Sequence, residues 1–459
     1  MNRLEKSIRP AVLAVAVALP FLALAATPAP ATAPVATRLD AVAGAYAAEN
    51  RFMGAVLVID DGRVLLDRGY GMANLDWAIP NAPDVEFRIG SLTKQFTAAL
   101  VLLLQQDGKL SLSDTVASRL PAAPAAWSKI TLAQLLHHTS GIPDFTHDPR
   151  FPAWSASPRT PEETFALVAD KPLDFPTGGK FAYSNTNYEV LGAIIEKVGG
   201  RSYAEQLRTR LLDPLGLKDT GLDADDLVLA HRALGYAEHA PGWTYARSES
   251  MTAPWAAGSM YSTTGDLARW ARALFGGKVL SAASLAQMTT PGLGGYGMGL
   301  LVVTHAGEPI IWHNGGIEGF HSYLAWLPRR RLIVVVLGND EAAPIETIGG
   351  QLIDVAAGRP VILPSDRHPV AISPAELARF VGAFTLAGQA EPVRFDLDDG
   401  RLVYGKARRS LTYLGARDGH PVFWDSSRDY EVEFIPDSRG AMTTVIIRAG
   451  DQSETGRRS

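Results

Sequence analysis

Ser91-Leu92-Thr93-Lys94 is the stretch of this chain whose residue types and spacing could do covalent chemistry. A serine followed three residues later by a lysine presents both side chains on one helical face. The sequence that follows, Phe96 to Gln106, is almost unbroken apolar residues and ends at Asp107-Gly108. Its length and Ala/Leu/Gln content predict a helix buried nearly all round. The start of such a helix helps twice. Its unpaired backbone N–H groups stabilise a developing oxyanion, and its positive end favours an anionic nucleophile. Burial would also depress the lysine pKa, letting a neutral amine accept the serine proton. Taken alone, the pattern reads more simply as a capping serine and a surface lysine.

Two further segments change that reading. Tyr183-Ser184-Asn185 lies in a turn before a helix, and His313-Asn314-Gly315-Gly316 follows a strand at Pro309 to Trp312. In this order the three elements resemble those of the penicillin-recognising serine hydrolases: class C β-lactamases, D-Ala-D-Ala carboxypeptidases, related esterases and D-aminopeptidases. Phe87-Arg88-Ile89-Gly90 before Ser91 fits as well, as do Gln95-Phe96-Thr97 and His138-Thr139-Ser140-Gly141-Ile142-Pro143. So do Phe175 to Lys180 and Asp213-Pro214-Leu215-Gly216-Leu217, and the resemblance runs from about Phe52 to Asp340.

The resemblance implies an acyl-enzyme on Ser91, with Lys94 as its proton acceptor and Tyr183 as a proton shuttle in a coupled pair. It implies that Asn185 orients Lys94 and a substrate amide, and that the backbone N–H groups of Ser91 and Gly316 form the oxyanion hole. His313 and Asn314 stand where the lactamase version has lysine and threonine. A partly charged His313 binds a substrate carboxylate less well than lysine does, which weakens the case for β-lactam capture and leaves ester, amide and peptide hydrolysis intact. A purely structural His313, pinning Tyr183 or a loop, is equally compatible with catalysis. Gly315-Gly316 lets substrate approach the backbone closely; no Walker lysine-serine pair accompanies it. His137 and His138 are adjacent and point differently, so they make no one-face metal pair, and His138 is expected to steady the loop ending at Gly141. Trp255, Tyr261 and Phe320 are assigned either to the cleft or to the core. No cofactor or metal is implied.

Positioning these groups takes a sheet and helices. Arg38 to Glu49 reads as an amphipathic helix. Gly54 to Asp60 and Arg63 to Tyr70 read as a hairpin turned by Asp61-Gly62. Further helices are expected at Leu132 to His138, Pro161 to Ala169, Tyr188 to Val198 (capped by Asn185 or Thr186, closed by Gly199-Gly200), Asp266 to Leu274 and Glu341 to Ala356. Strands are expected at Tyr296 to Thr304, Pro309 to Trp312, His321 to Leu327 and Arg331 to Leu337, with Arg329 to Arg331 a solvated turn. The fold class is α/β (α+β): a β-lactamase/transpeptidase-like antiparallel sheet with flanking helices and an all-helical subdomain, followed by a small all-β, lipocalin-like domain. The domains divide as 38–357 for the hydrolase, 358–375 for a linker, and 376–459 for a β-rich unit curled into a partial barrel.

Arg3, Lys6 and Arg9 precede an apolar run from Ala11 to Ala26 and an Ala/Pro/Thr-rich stretch, the order of a secretory signal. The run is short for a membrane span and Pro20 interrupts it. Residues 1–25 are expected as signal peptide, cut after Ala23-Leu24-Ala25 or, as second choice, Ala31-Thr32-Ala33, with 26–37 as a leader remnant. That places the protein in the periplasm or outside the cell. With 459 residues, 47% apolar and 20% charged, the chain affords a sizeable core, and its net charge of -5 supplies no basic field for nucleic acid. Zero cysteines exclude disulfides and thiolate metal sites. The implied partners are small-molecule or peptide substrates, peptidoglycan fragments among them. A different class of reading is a catalytically silent wall-binding protein that kept the scaffold; the intact Ser91, Lys94, Tyr183 and Asn185 count against it.

Overall fold

The computed structural model describes residues 33–459 apart from 240–241, 388–390, 407, 427 and 450–451. The expected signal peptide lies outside the described residues. Helix α1 (Val35–Ala48) starts three residues before the expected Arg38.

The main sheet has six antiparallel strands: β1 (Gly54–Asp60), β2 (Arg63–Tyr70), β3 (Leu301–His305), β4 (Glu308–Ile317), β5 (Phe320–Leu327) and β6 (Leu332–Gly338), in the order β3-β4-β5-β6-β1-β2. Both ends of the unit thus build one sheet, with β1 paired to β6 from Gly54 opposite Gly338 to Ile59 opposite Ile333. Asp61 (φ 45) and Gly62 (φ 86) are both left-handed, as a two-residue hairpin matching strand twist requires. Alternate residues face two cores. Val56, Val58, Val334 and Val336 pack with α1, whereas Ala55, Leu57, Val335 and Leu337 face the large helical core. The expected strand at 296–304 begins only at Leu301, because the chain turns at Gly299 (φ 75) and lies against Lys94, where a Cβ would come within 2.5 Å of the Lys94 carbonyl oxygen.

The helices that matter for the site are α2 (Thr93–Gln106), α3 (Asn185–Gly199), α4 (Trp255–Gly258), α5 (Thr264–Phe275) and α6 (Ile345–Ala356). Almost every residue of α2 is buried, including Lys94. Gly200, at φ 72, closes α3 as expected. Asn185 is the first residue of α3 and not its cap, because its amide is engaged elsewhere. α6 lies with α1 on the outer face of the sheet.

The C-terminal unit is a closed barrel of eight antiparallel strands, where a partial one was expected. They are β7 (Gly382–Leu386), β8 (Val393–Asp398), β9 (Arg401–Tyr404), β10 (Arg409–Arg417), β11 (His420–Asp425), β12 (Tyr430–Pro436), β13 (Met442–Ala449) and β14 (Gln452–Arg458). The closing strand, β14, pairs with both β7 and β13. Phe380, Phe384, Phe395, Phe423 and Phe434 fill the barrel, with ring centroids 4.8 to 5.7 Å apart. The barrel is fastened through Asp429, which lies in the turn between β11 and β12. Its carboxylate accepts hydrogen bonds from Trp424 Nε1 (2.7 Å), Tyr46 OH of α1 (3.4 Å) and Gln351 Nε2 of α6 (3.3 Å), and pairs with Arg367. The stretch expected as a linker therefore carries a buried arginine that helps dock the barrel.

Candidate active site

Ser91 sits in the turn Gly90–Leu92 that runs into α2. Gly90 is left-handed at φ 50, and a Cβ there would stand 2.9 Å from Gly316 N. A Cβ on Gly315 would stand 2.0 Å from Ile89 O and 2.9 Å from Ser91 N. Only glycine lets β4 and the Ser91 turn come this close. Beyond Trp312, β4 is no longer covered by β3, and Ser322 Oγ on the neighbouring β5 donates to Ile89 O at 2.7 Å. The sheet and the helix start are thereby locked together at the serine.

Ser91 Oγ lies 2.9 Å from Lys94 Nζ and accepts a 2.8 Å hydrogen bond from Tyr183 OH. Lys94 is fully buried, and Nζ also lies 2.7 Å from Asn185 Oδ1 and 2.7 Å from Ala257 O. The identity of Oδ1 is set by the other side of the amide, because Asn185 Nδ2 donates to Asp144 Oδ2 at 2.9 Å. Two of the three Nζ contacts are therefore to carbonyl oxygens that can only accept. The third is to a hydroxyl that can donate. A neutral amine fits this arrangement fully: two N–H bonds to the carbonyls and a lone pair aimed at the Ser91 hydroxyl. Burial pulls the Lys94 pKa down to about 7, opposed in part by the charges of Asp144 and Glu189. Burial pushes Tyr183 above its ordinary range instead, so its phenol is protonated near neutrality.

Sequence reasoning missed Asp144 and understated His138. Asp144 follows the Ile142-Pro143 pair already singled out, and it is buried. Its carboxylate accepts from Asn185 N (3.1 Å) as well as Nδ2, which anchors Asn185 under the lysine. His138 takes the left-handed conformation at φ 54 and is fully buried. Its Nδ1 accepts from Ser184 N and Asn187 Nδ2, both at 3.1 Å, and its ring lies 4.3 Å from the Tyr183 ring. Its work is to hold the Tyr183 turn.

His313 corrects an expectation. Only 2% of it is exposed, and burial lowers its pKa to about 4, so no partial charge is available near neutrality. Its Nδ1–H donates to Asn314 O, and Nε2 accepts from Tyr296 OH at 3.0 Å, a fully used neutral tautomer. On the opposite face of β4, Asn314 Nδ2 donates to the exposed Glu346 of α6 at 2.5 Å. Trp255, Tyr261 and Phe320 belong to the packing: Trp255 lies against Gly192 and Tyr203, Tyr261 against Gly221, and Phe320 against Gly235. Among the described residues no cluster of metal-ligating side chains is found.

Comparison with known proteins bears on this arrangement at two scales. Protein flp of Staphylococcus aureus is 30% identical over 319 residues, which is 65% of this chain and 63% of its own length. The chain thus spans just under two thirds of that relative. The octameric penicillin-binding protein homologue of Pyrococcus abyssi is 24% identical with a TM-score of 0.67, over 92% of this chain and 99% of the other, so its fold likeness takes in the barrel. A D-stereospecific amidohydrolase from Streptomyces is 28% identical with a TM-score of 0.60, over 70% of this chain and 98% of its own. The family profile described as Beta-lactamase matches residues 39–358, from within α1 to just past α6. With both the sheet and the Ser91 helix inside the matched span, the chain belongs to the beta-lactamase family, whose fold is that of serine hydrolases.

Proposed function

We propose that the protein is an exported serine hydrolase that forms an acyl-enzyme on Ser91 and acts on small esters, amides or D-amino-acid peptides. The observation that carries the reading is the buried Lys94 Nζ 2.9 Å from Ser91 Oγ, with its two other contacts to neutral carbonyl oxygens. In the first step Ser91 Oγ bonds the substrate carbonyl carbon while its proton passes to Lys94. The carbonyl oxygen becomes an oxyanion held by the backbone N–H groups of Ser91 and Gly316. Collapse breaks the bond to the leaving group, which takes the proton through Tyr183 OH. Water then gives a proton back along the same route, its oxygen bonds the acyl carbon, and the acid departs as Ser91 regains its hydrogen. Asn185 orients the amine throughout.

The substrate preference follows from charge. His313 is neutral and enclosed, so it offers a substrate carboxylate no positive charge on its face of β4. That favours neutral esters and amides over β-lactams and D-Ala-D-Ala carboxypeptides, and agrees with the likeness to a D-stereospecific amidohydrolase. Peptidoglycan-derived peptides with blocked or amide ends fit the same site. A silent wall-binding role would leave the buried amine without purpose. The leader residues assign the protein to the periplasm or exterior. The lipocalin-like barrel, filled by its own phenylalanines, serves as a docked structural appendage.

The test is time-resolved intact-mass analysis of wild type and Ser91→Ala with an activated ester, N-terminal D-amino-acid amides, D-Ala-D-Ala peptides and β-lactams. Transient acylation at Ser91 by esters and amides, absent from Ser91→Ala, is the expected result. Labelling that persists in Ser91→Ala, or turnover confined to β-lactams, would reject the reading.

A further inference from the structure

One buried acid near the site has no part in the steps above. Glu189 lies on α3 one helical turn after Asn185, on the same face, and is fully buried. Its Oε1 accepts the backbone N–H of Ala257 at 3.2 Å, while its Oε2 is buried without a hydrogen-bond partner. Ala257 is also the residue whose carbonyl oxygen takes Lys94 Nζ at 2.7 Å. α3 therefore grips the amine twice, directly through Asn185 and indirectly through Glu189 and Ala257. The neighbouring carbonyl, Ala256 O, is held by Thr97 Oγ1 at 2.7 Å, so Glu189 is the ionisable member of an otherwise neutral clasp.

We propose that Glu189 is a positioning residue for Lys94: through Ala257 it fixes the carbonyl that holds the amine, and as a protonated acid it leaves that amine free to be neutral. A carboxylate with one oxygen buried and unpaired is unfavourable, whereas the neutral acid is tolerated there. Burial pushes Glu189 up to about 8, and burial pulls Lys94 down to about 7. The pair thus holds a single proton in the intervening range, and burial keeps that proton on the acid and the lone pair on the amine. The other titratable groups facing the pair are Asp144, Tyr183, His138 and His313 around Lys94, with Tyr188 and Tyr203. Burial holds the three phenols above their ordinary range and both imidazoles below theirs, so none of these five titrates near neutrality. α4 brings no titratable side chain to the clasp.

This inference rests on Lys94 being the base, and the test separates the two. Wild type, Glu189→Gln, Glu189→Leu and Lys94→Ala are compared by kcat and KM for an activated nitrophenyl ester from pH 5 to 9, with acylation at Ser91 followed by mass. Glutamine keeps an acceptor for Ala257 N–H but carries no charge. Glu189→Leu should lose on the order of tenfold in kcat with KM little changed, since the carbonyl under the amine is no longer held. Glu189→Gln should recover most of that rate. Its acid limb should stay in place, because the wild-type acid is already neutral where Lys94 titrates and glutamine reproduces that state. An acid limb displaced to lower pH in Glu189→Gln, which would show Glu189 ionised where Lys94 titrates, or wild-type kcat in Glu189→Leu, would overturn the proposal. If Glu189→Leu does not fold, the pH comparison with Glu189→Gln decides alone. Unimpaired acylation in Lys94→Ala would instead show that the base itself is misassigned.

Discussion

The rate of acylation should rise with pH through the titration of Lys94. An ordinary lysine, at about 10.4, is neutral in roughly one molecule in 2,500 at pH 7. Full burial brings Lys94 to about 7, so that half the molecules carry a free amine at that pH. The gain in active base is on the order of a thousandfold, or about 4 kcal/mol, from placing one side chain between α2, α3 and α4. The sign is fixed by the chemistry: only the deprotonated amine accepts the serine proton, so activity is lost as pH falls below the folded pKa. Stopped-flow acylation by an activated ester should fall about tenfold per unit below the inflection and level off above it. Glu189, pushed up to about 8 by burial, also titrates in this range, and Glu189→Gln separates its contribution from that of Lys94. His313 titrates at about 4, His138 is held well below its ordinary value by burial, and Tyr183 is held above its own. Tyr183→Phe should therefore lower the plateau by about 10²-fold or more while leaving the inflection in place. A rate flat from pH 5 to 8, or an inflection that disappears in Tyr183→Phe, would refute the assignment of Lys94 as base.

Three further outcomes follow from the packing. Gly315→Ala should cost on the order of 10² or more in kcat, because its Cβ would fall 2.0 Å from Ile89 O and displace β4 from Ser91; wild-type turnover of the purified variant would contradict the close approach. His313→Gln should keep the acid limb of the rate profile unmoved, whereas His313→Ala, which strands Tyr296 OH, should lose about 1–3 kcal/mol of stability in denaturant titration. An acid limb shifted in His313→Gln would restore a charged role for this histidine. Asp429→Ala leaves Arg367 buried without its partner, at a cost of about 3–5 kcal/mol to barrel docking. Limited proteolysis should then cut within residues 358–375, and an unchanged digestion pattern would argue against the anchor.

The hairpin at Asp61-Gly62, the buried helix after Ser91 and the final sheet strands were legible because each carries its signal within a few residues. The barrel's closure was not. Its last strand, Gln452–Arg458, is polar and shows no apolar alternation, and it becomes a strand by pairing with β7 and β13. Local pattern cannot report a pairing between segments this far apart. Asn185 shows the opposite failure. Its type suits a helix cap, but its amide spans Lys94 and Asp144, and tertiary contacts took the side chain away from the helix end.

The same distinction explains which parts of the site could be read. Ser91, Lys94, Tyr183 and Asn185 sit in short motifs whose residue types announce chemistry, and the structure brings all four around one oxygen and one nitrogen. The charge state of those groups had to come from enclosure. His313 is neutral because it is buried, with Tyr296, seventeen residues earlier, bonded to its Nε2, and nothing in His313-Asn314-Gly315-Gly316 encodes that enclosure. Burial lowers Lys94 to about 7 against the charges of Asp144 and Glu189, and Ala257, 163 residues away, supplies its Nζ with a neutral carbonyl. A carboxylate in place of that carbonyl would hold the ammonium form and remove the lone pair from Ser91. The chemistry of the motif is therefore completed by a neutral peptide group, a feature that residue types at the motif cannot reveal and that packing alone supplies.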